Sequence, residues 1–163
     1  MESTLPKIAI CGPGRCGKDT AARWFASHTL LRFGRSTSEV IAPHVAARLS
    51  LPLEVVFSHR HDNRQFWFDV GNELQRTDPA YLVRETLKDA EISIGMRNRS
   101  EILAVRDAGI VDLIVWIDRD VPADPTMEFG PEMCDVIVLN RGTIEEFYQR
   151  LESLARWARL LRP

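Results

Sequence analysis

Residues 12–20 read Gly12-Pro13-Gly14-Arg15-Cys16-Gly17-Lys18-Asp19-Thr20, directly after the apolar run Lys7-Ile8-Ala9-Ile10-Cys11. This spacing is that of a phosphate-binding loop set between a strand and a helix. Gly12, Gly17 and Lys18 fit the G-x-x-x-x-G-K pattern, whereas Asp19 stands where the pattern has Ser or Thr, with Thr20 as the next hydroxyl. Glycines let the backbone curl until successive N–H groups point inward at phosphate oxygens, and the N-terminus of the following helix adds partial positive charge. Gly12, Gly14, Arg15, Cys16, Gly17, Lys18, Asp19 and Thr20 are therefore the candidates to cradle donor phosphates. Lys18 supplies a full charge that can follow a phosphoryl group in transfer. A glycine-rich turn with a chance lysine is the alternative, but strand, loop, lysine and an amphipathic helix with Ala21, Ala22, Trp24 and Phe25 all agree. Cys16 is readable as a thiol activated by the surrounding N–H donors or as a small residue that fits the loop.

Three further groups carry candidate chemistry. Arg60, Arg64 and Trp67 fall at i, i+4 and i+7, which a helix would put on one face. Two guanidiniums beside an indole suit a phosphate ester with a flat base, and a half-buried helix with arginines lying over its surface is the competing reading. His59 and His61 do not share a helical face and have no third ligand in sight, which argues against a metal site there. Arg97 in Gly95-Met96-Arg97-Asn98-Arg99-Ser100-Glu101 follows a strand at its carboxyl end, where it faces the crevice that binds ligands in open α/β sheets. Its expected task is to clamp a phosphate, with Arg99 and Glu101 readable as a surface ion pair. Asn140, in Asn140-Arg141-Gly142-Thr143, is a candidate contact for a donor adenine edge, or simply part of a turn ahead of a helix cap.

The elements that must position these residues alternate strand and helix. Short apolar strands are expected at Lys7–Cys11, about 30–35, Glu91–Gly95, Val111–Asp118 and Asp135–Asn140, giving a five-stranded parallel sheet. Gly34 and two arginines interrupt the second. Helices are expected over Lys18–Thr29, Ser38–Leu49, Asp62–Arg76, Pro79–Ala90, Ser100–Ala108 and Thr143–Leu161, the last opened by a Thr143/Glu146 capping box. Right-handed crossovers then give a doubly wound α/β domain. About 55 residues separate the second and third strands, too many for a plain connection, so roughly 36–90 is expected to form a helical insertion at the carboxyl edge of the sheet. Residues 119–134, with Arg119, Asp120, three prolines and Glu128, read as a lid-like loop that excludes water, or as an exposed loop.

The bulk composition permits this. At 163 residues the chain makes one domain. A net charge of −2 argues against a general nucleic-acid or membrane-surface binder, and no apolar run reaches membrane-spanning length. Only Lys7, Lys18 and Lys88 are lysines; the other basic residues are arginines, whose forked guanidiniums pair two-pronged with phosphates, although codon bias explains such usage equally well. Three cysteines, with no C-x-x-C pair and no signal peptide, point to a reducing cytoplasmic setting without structural zinc.

The chain resembles bacteriophage-type deoxynucleoside monophosphate kinases, within the P-loop nucleoside-monophosphate kinase group. Gly17-Lys18-Asp19-Thr20, the run Gly71-Asn72-Glu73-Leu74-Gln75-Arg76-Thr77-Asp78-Pro79, Gly95-Met96-Arg97-Asn98 with Glu101, and Asn140-Arg141-Gly142-Thr143 carry the resemblance, in order along the chain. It implies one P-loop kinase domain over 1–163 and a phage or prophage origin. The implied reaction moves the ATP γ-phosphoryl group to a (deoxy)nucleoside monophosphate with Mg²⁺. Lys18, Arg97 and Arg76 would act in transfer, and Arg60, Arg64, Trp67, Arg76, Arg97 and Glu101 would bind the acceptor. Asp19 and Thr20 would meet the metal. Small nucleotides are then the partners, with no nucleic acid and no membrane, and a homodimer is among the assemblies left open. Gly95 stands where many relatives carry an acidic residue, which leaves the metal's carboxylate unassigned. Two rival readings follow: a P-loop kinase acting on another small phosphate monoester, and a non-catalytic nucleotide-binding module.

Overall fold

A computed structural model describes residues 5–161. Four parallel strands, β1 (Ile8–Cys11), β2 (Ile92–Ile94), β3 (Leu113–Asp118) and β4 (Val136–Leu139), lie in the order β2-β1-β3-β4. Ile8 sits between Ile92 and Leu113, so the apolar run before the glycine loop lies inside the sheet. Seven helices surround it: α1 (Lys18–His28), α2 (Thr37–Leu49), α3 (Leu53–Ser58), α4 (Arg64–Leu74), α5 (Tyr81–Thr86), α6 (Arg99–Asp107) and α7 (Ile144–Trp157).

Alternation along β1 assigns its two faces. Ile8 and Ile10 pack with Phe25 of α1 and Phe147 and Leu151 of α7, while Ala9 and Cys11 pack with Val83, Ile102 and Val105 on the other face. Both faces are covered at β1, β2 and β3, which is why these strands read as continuous apolar runs, whereas the edge strand β4 leaves Ile137 and Leu139 exposed on one face. A third apolar cluster, with Val40, Ile41, Val45, Trp67, Val70 and Leu82, holds α2, α4 and α5 together. The long connection is therefore a helical unit with its own core.

The sheet has four strands, not five. The stretch expected as the second strand contributes one bridge, Phe33 beside Ile92. The Arg32 carbonyl accepts the N–H groups of Glu91 and Ile92 at 2.9 and 3.1 Å. The ladder stops there because the Arg32 N–H is taken by the Glu91 carboxylate at 2.9 Å and Gly34 and the Ser36 helix cap follow at once. The segment still occupies the outer flank of β2 where a fifth strand would lie.

Helix ends differ from the sequence expectation for local reasons. Ser36 and Glu39 form a capping box, so α2 starts one residue earlier than expected and runs through Pro43. Thr143 and Glu146 cap α7 in the same way. That helix stops at Trp157 rather than Leu161, because Arg159 turns to φ 56° and the Leu160 N–H returns to the Ala155 carbonyl at 2.8 Å. The stretch Pro79–Ala90 yields only the six-residue α5, and α3 was not anticipated. Among the described residues no helix is long and apolar enough to cross a membrane.

Gly95 leaves β2 at φ 111°, a conformation that side chains other than glycine rarely adopt. A Cβ there would lie 2.0 Å from the Thr37 hydroxyl at the buried start of α2. Gly95→Ala is expected to lower stability by about 2–4 kcal/mol, from combined backbone strain and overlap, read as a fall in the thermal unfolding midpoint of roughly 5–10 °C. An unchanged midpoint would contradict this reading of the turn.

Candidate functional site

The glycine loop runs from the end of β1 to the start of α1. Gly17 adopts φ 105°, and a Cβ on it would lie 2.6 Å from the Asn140 amide nitrogen. That amide donates to the Cys16 carbonyl at 2.9 Å, so Asn140 braces the loop from the end of β4 rather than presenting its amide to a ligand. Cys16 is buried in the core, and burial pushes its thiol up in spite of the nearby Lys18, so it is a packing residue and not an activated nucleophile. Lys18 is also buried. Its ammonium donates to the carbonyls of Gly12 at 2.9 Å and Pro13 at 2.6 Å. Burial lowers its pKa, and Arg97 lowers it further, against opposing contributions from Cys16 and Asp19.

Beyond the loop opens a cavity of about 120 Å³, partly continuous with solvent, between the carboxyl edge of the sheet and the helical unit. Gly14, Arg15, Lys18 and Asp19 line it from the loop and the start of α1, together with Arg60, Arg64, Trp67 and Arg97, the Arg64 guanidinium lying against Gly14. The three residues read as one helical face do meet here, although Arg60 lies in the turn ahead of α4 and not on it. Trp67 is buried, packing on Phe57 with ring centroids 5.5 Å apart, and forms wall rather than a free stacking platform. Ile41 and Leu82 extend that apolar wall. Five cationic side chains face the cavity against Asp19 and Glu101, an electrostatic setting that favours an anionic guest.

The donors converge on one atom. Asp124 Oδ2 accepts from the Gly14 N–H at 2.9 Å, Arg64 Nη1 at 2.7 Å and Arg97 Nη1 at 2.5 Å. Its Oδ1 accepts from the Thr126 N–H at 3.1 Å and hydroxyl at 2.7 Å. Burial works against the charged carboxylate, but the Thr126 hydroxyl, Arg97 and the Gly14 N–H together hold its pKa far below the ordinary range. The segment 119–134 is thus not a plain exposed loop. Thr126 and Phe129 are buried, Phe129 packs on Trp116, and the Glu128 N–H donates to the Arg97 carbonyl at 2.9 Å.

Polar side chains line the far end of the cavity: Asn72, Gln75, Asn98 and Glu101. Asn98 Nδ2 donates to Asn72 Oδ1 at 2.6 Å, and its own Oδ1 is buried without a partner. Gln75, with its amide oriented to satisfy its neighbours, donates to the Pro79 carbonyl and to Glu101 Oε1 at 3.0 Å. Glu101 is buried and accepts the Arg97 N–H at 2.9 Å, so it is part of the cavity floor and not half of a surface ion pair with Arg99.

Two expected site residues lie elsewhere. Arg76 is exposed and outside the cavity wall, because α4 ends at Leu74 and the buried Gln75 takes the inward position. Thr20 does not line the cavity either, while Asp19, itself exposed, does so from the first turn of α1. Sequence reasoning did not single out Asp124. Its signal was local: Asp124-Pro125-Thr126 is a turn in which the carboxylate binds its own backbone two residues on.

No family model matches the chain, and no curated protein matches it. Among solved structures, the unliganded crystal structure of a sugar kinase from Janibacter sp. superposes with a TM-score of 0.55 at 16% identity, covering 96% of this chain and 96% of that one. At that identity the likeness defines the fold, a parallel sheet flanked by helices on a plan shared with a kinase.

Burial pushes the Glu101 pKa up to about 7, against the opposing Arg97 and Asn98 N–H groups and the Arg97 charge. A carboxyl raised in the folded state stabilises fully below its unfolded pKa, near 4.5, and that stabilisation is lost as pH rises through about 7. The wild-type protein should therefore lose stability from pH 5 to pH 8 relative to Glu101→Gln, by up to about 3 kcal/mol. Urea unfolding of both proteins at the two pH values measures it; parallel pH profiles would contradict a protonated, buried Glu101.

Proposed function

We propose that this protein is a phosphotransferase that moves the γ-phosphoryl group of ATP to a (deoxy)nucleoside monophosphate. The observation that carries the reading is the convergence of the Gly14 N–H, Arg64 and Arg97 on a single oxyanion, with Lys18 lining the same cavity as both arginines. Three donors on one oxygen, at the mouth of a phosphate-binding loop, make a seat for a phosphoryl group and not for a neutral ligand. The apolar wall of Trp67, Ile41 and Leu82 beside that seat suits a base, and Asn72, Gln75, Asn98 and Glu101 offer polar groups to its edge.

In this mechanism the loop N–H groups hold the donor phosphates, and Arg64 and Arg97 hold the acceptor phosphate. Lys18 exchanges its two loop carbonyls for phosphate oxygens, which are the stronger acceptors. The bond from the γ-phosphorus to the ADP oxygen breaks as the bond to the acceptor oxygen forms, in line, with no enzyme nucleophile. Positioning and charge neutralisation supply the acceleration. Mg²⁺, when bound, neutralises charge on the donor phosphates. Among the described residues no three acidic, His or Cys side chains gather as a metal cage, and Thr37 closes position 95 to a carboxylate. Asp19, which lines the cavity, is the side chain that would hold the ion, the nucleotide supplying the other oxygens, as is usual for Mg²⁺.

A second reading is favoured by the polar floor and by the likeness in fold to a sugar kinase: a kinase whose acceptor is a small hydroxylated molecule such as a sugar. Arg64 and Arg97, both committed to an anion, favour a phosphorylated acceptor instead.

An assay of ADP formation with ATP, Mg²⁺ and a panel of ribo- and deoxynucleoside monophosphates, sugars and sugar phosphates separates these. Turnover with nucleoside monophosphates is expected, and turnover with sugars alone would contradict the reading. Lys18→Ala should lower kcat by at least about 100-fold with the fold intact by circular dichroism. Arg97→Ala should raise KM for the acceptor more than KM for ATP; equal effects would remove Arg97 from the acceptor side.

A further inference from the structure

The carboxylate at the centre of the site comes from the protein itself. We propose that Asp124 is an internal ligand of the phosphate seat, holding the donors of Gly14, Arg64 and Arg97 until an incoming phosphoryl oxyanion displaces it. The inference rests on the reading of those donors as a phosphate seat.

Three observations carry it. First, Asp124 Oδ2 takes the place a phosphate oxygen would take, with a loop N–H and two guanidiniums on one atom at 2.5–2.9 Å. Those donors come from three separate parts of the chain and have this carboxylate in common. Second, the carboxylate is aimed. Thr126 holds Oδ1 through its N–H and its hydroxyl, and that hydroxyl also accepts from Arg97 Nη1 at 3.0 Å, so Oδ2 alone is presented to the seat. Third, the side chain is only 4% exposed, and it belongs to a segment whose Thr126 lines the cavity.

Without such an anion, Lys18, Arg60, Arg64 and Arg97 would face one another across a partly dehydrated cavity. Asp124 relieves that repulsion in the ligand-free protein. A phosphate carries more charge and more acceptor oxygens than a carboxylate, so it can take over the same donors. Asp124 then leaves the seat, and the segment around it must shift. Ligand entry and movement of the cover become one exchange. A nucleotide that lacks the phosphate in this position has nothing with which to displace Asp124, which makes the exchange a test of the ligand as well as a gate.

The cost is visible in apparent affinity, which falls by the fraction of molecules whose seat is free. Calorimetric titration of the ligand-free protein with inorganic pyrophosphate reads this. Asp124→Asn should bind pyrophosphate about tenfold tighter than wild type. Asp120→Asn, which removes the same charge from an exposed position of the same segment, should stay within about twofold. Thr126→Val, which frees the carboxylate from its support, should tighten binding by about threefold, and it carries the test alone if Asp124→Asn does not fold. Equal or weaker binding by Asp124→Asn, or by Thr126→Val in its place, would show that Asp124 positions the arginines for the anion and does not compete with it. An equal gain in Asp120→Asn would reduce the effect to general charge. Either result overturns the proposal and leaves the phosphate seat standing. Absence of pyrophosphate binding by every variant and by wild type would overturn the seat itself.

Discussion

Like charges gathered without a partner repel, and this constraint organises the molecule. A site that binds phosphate needs several cationic groups within a few ångströms of one point, in a place dry enough for them to matter. Here the groups come from distant segments: a loop after β1, the first turn of α4, and the end of β2. The sheet brings the first and last together, since β1 and β2 are neighbours in parallel register. The helical unit of α2 to α5 carries Arg64 over them. Its own apolar core around Val45, Trp67 and Val70 makes that placement stable. Asp124 and the carbonyls of Gly12 and Pro13 then satisfy the cations while no ligand is present.

Much of this frame was legible in the residues. The apolar run Lys7–Cys11, the glycine spacing and Lys18 specify the strand, the loop and the helix start without reference to the rest of the chain. The excess length between the second and third expected strands announced the helical unit, and the i, i+4, i+7 spacing of Arg60, Arg64 and Trp67 marked the wall of the cavity. What failed was settled by long-range partners. Nothing local in Leu30–Arg35 says that Glu91 will take the Arg32 N–H and end the ladder after one bridge. Nothing local in Gln75-Arg76 says which of the two turns inward. Glu101 reads as surface charge from its neighbours in sequence, and only the packing of α6 beneath the site buries it.

Gly95 shows how a departure from the pattern of the kinases that the sequence resembles acquires a physical reason. Taken from sequence, a glycine in place of an acidic residue looks like a lost metal ligand. In the fold it is a left-handed turn pressed against Thr37, where α2 begins. Closing that approach lets the helical unit sit tightly on the sheet edge. The same contact removes the space in which a carboxylate would stand.

The central claim is that the loop and the arginine-lined cavity are one continuous site for two phosphorylated ligands. Titration with a dinucleoside polyphosphate, in which adenosine and a second nucleoside are joined by five phosphates, tests it directly. One molecule should bind per chain, at least about 100-fold tighter than ATP or the matching monophosphate alone, because the second contact becomes intramolecular. Binding no tighter than that of ATP would mean that the two regions do not act on the same ligand pair, and would contradict the account.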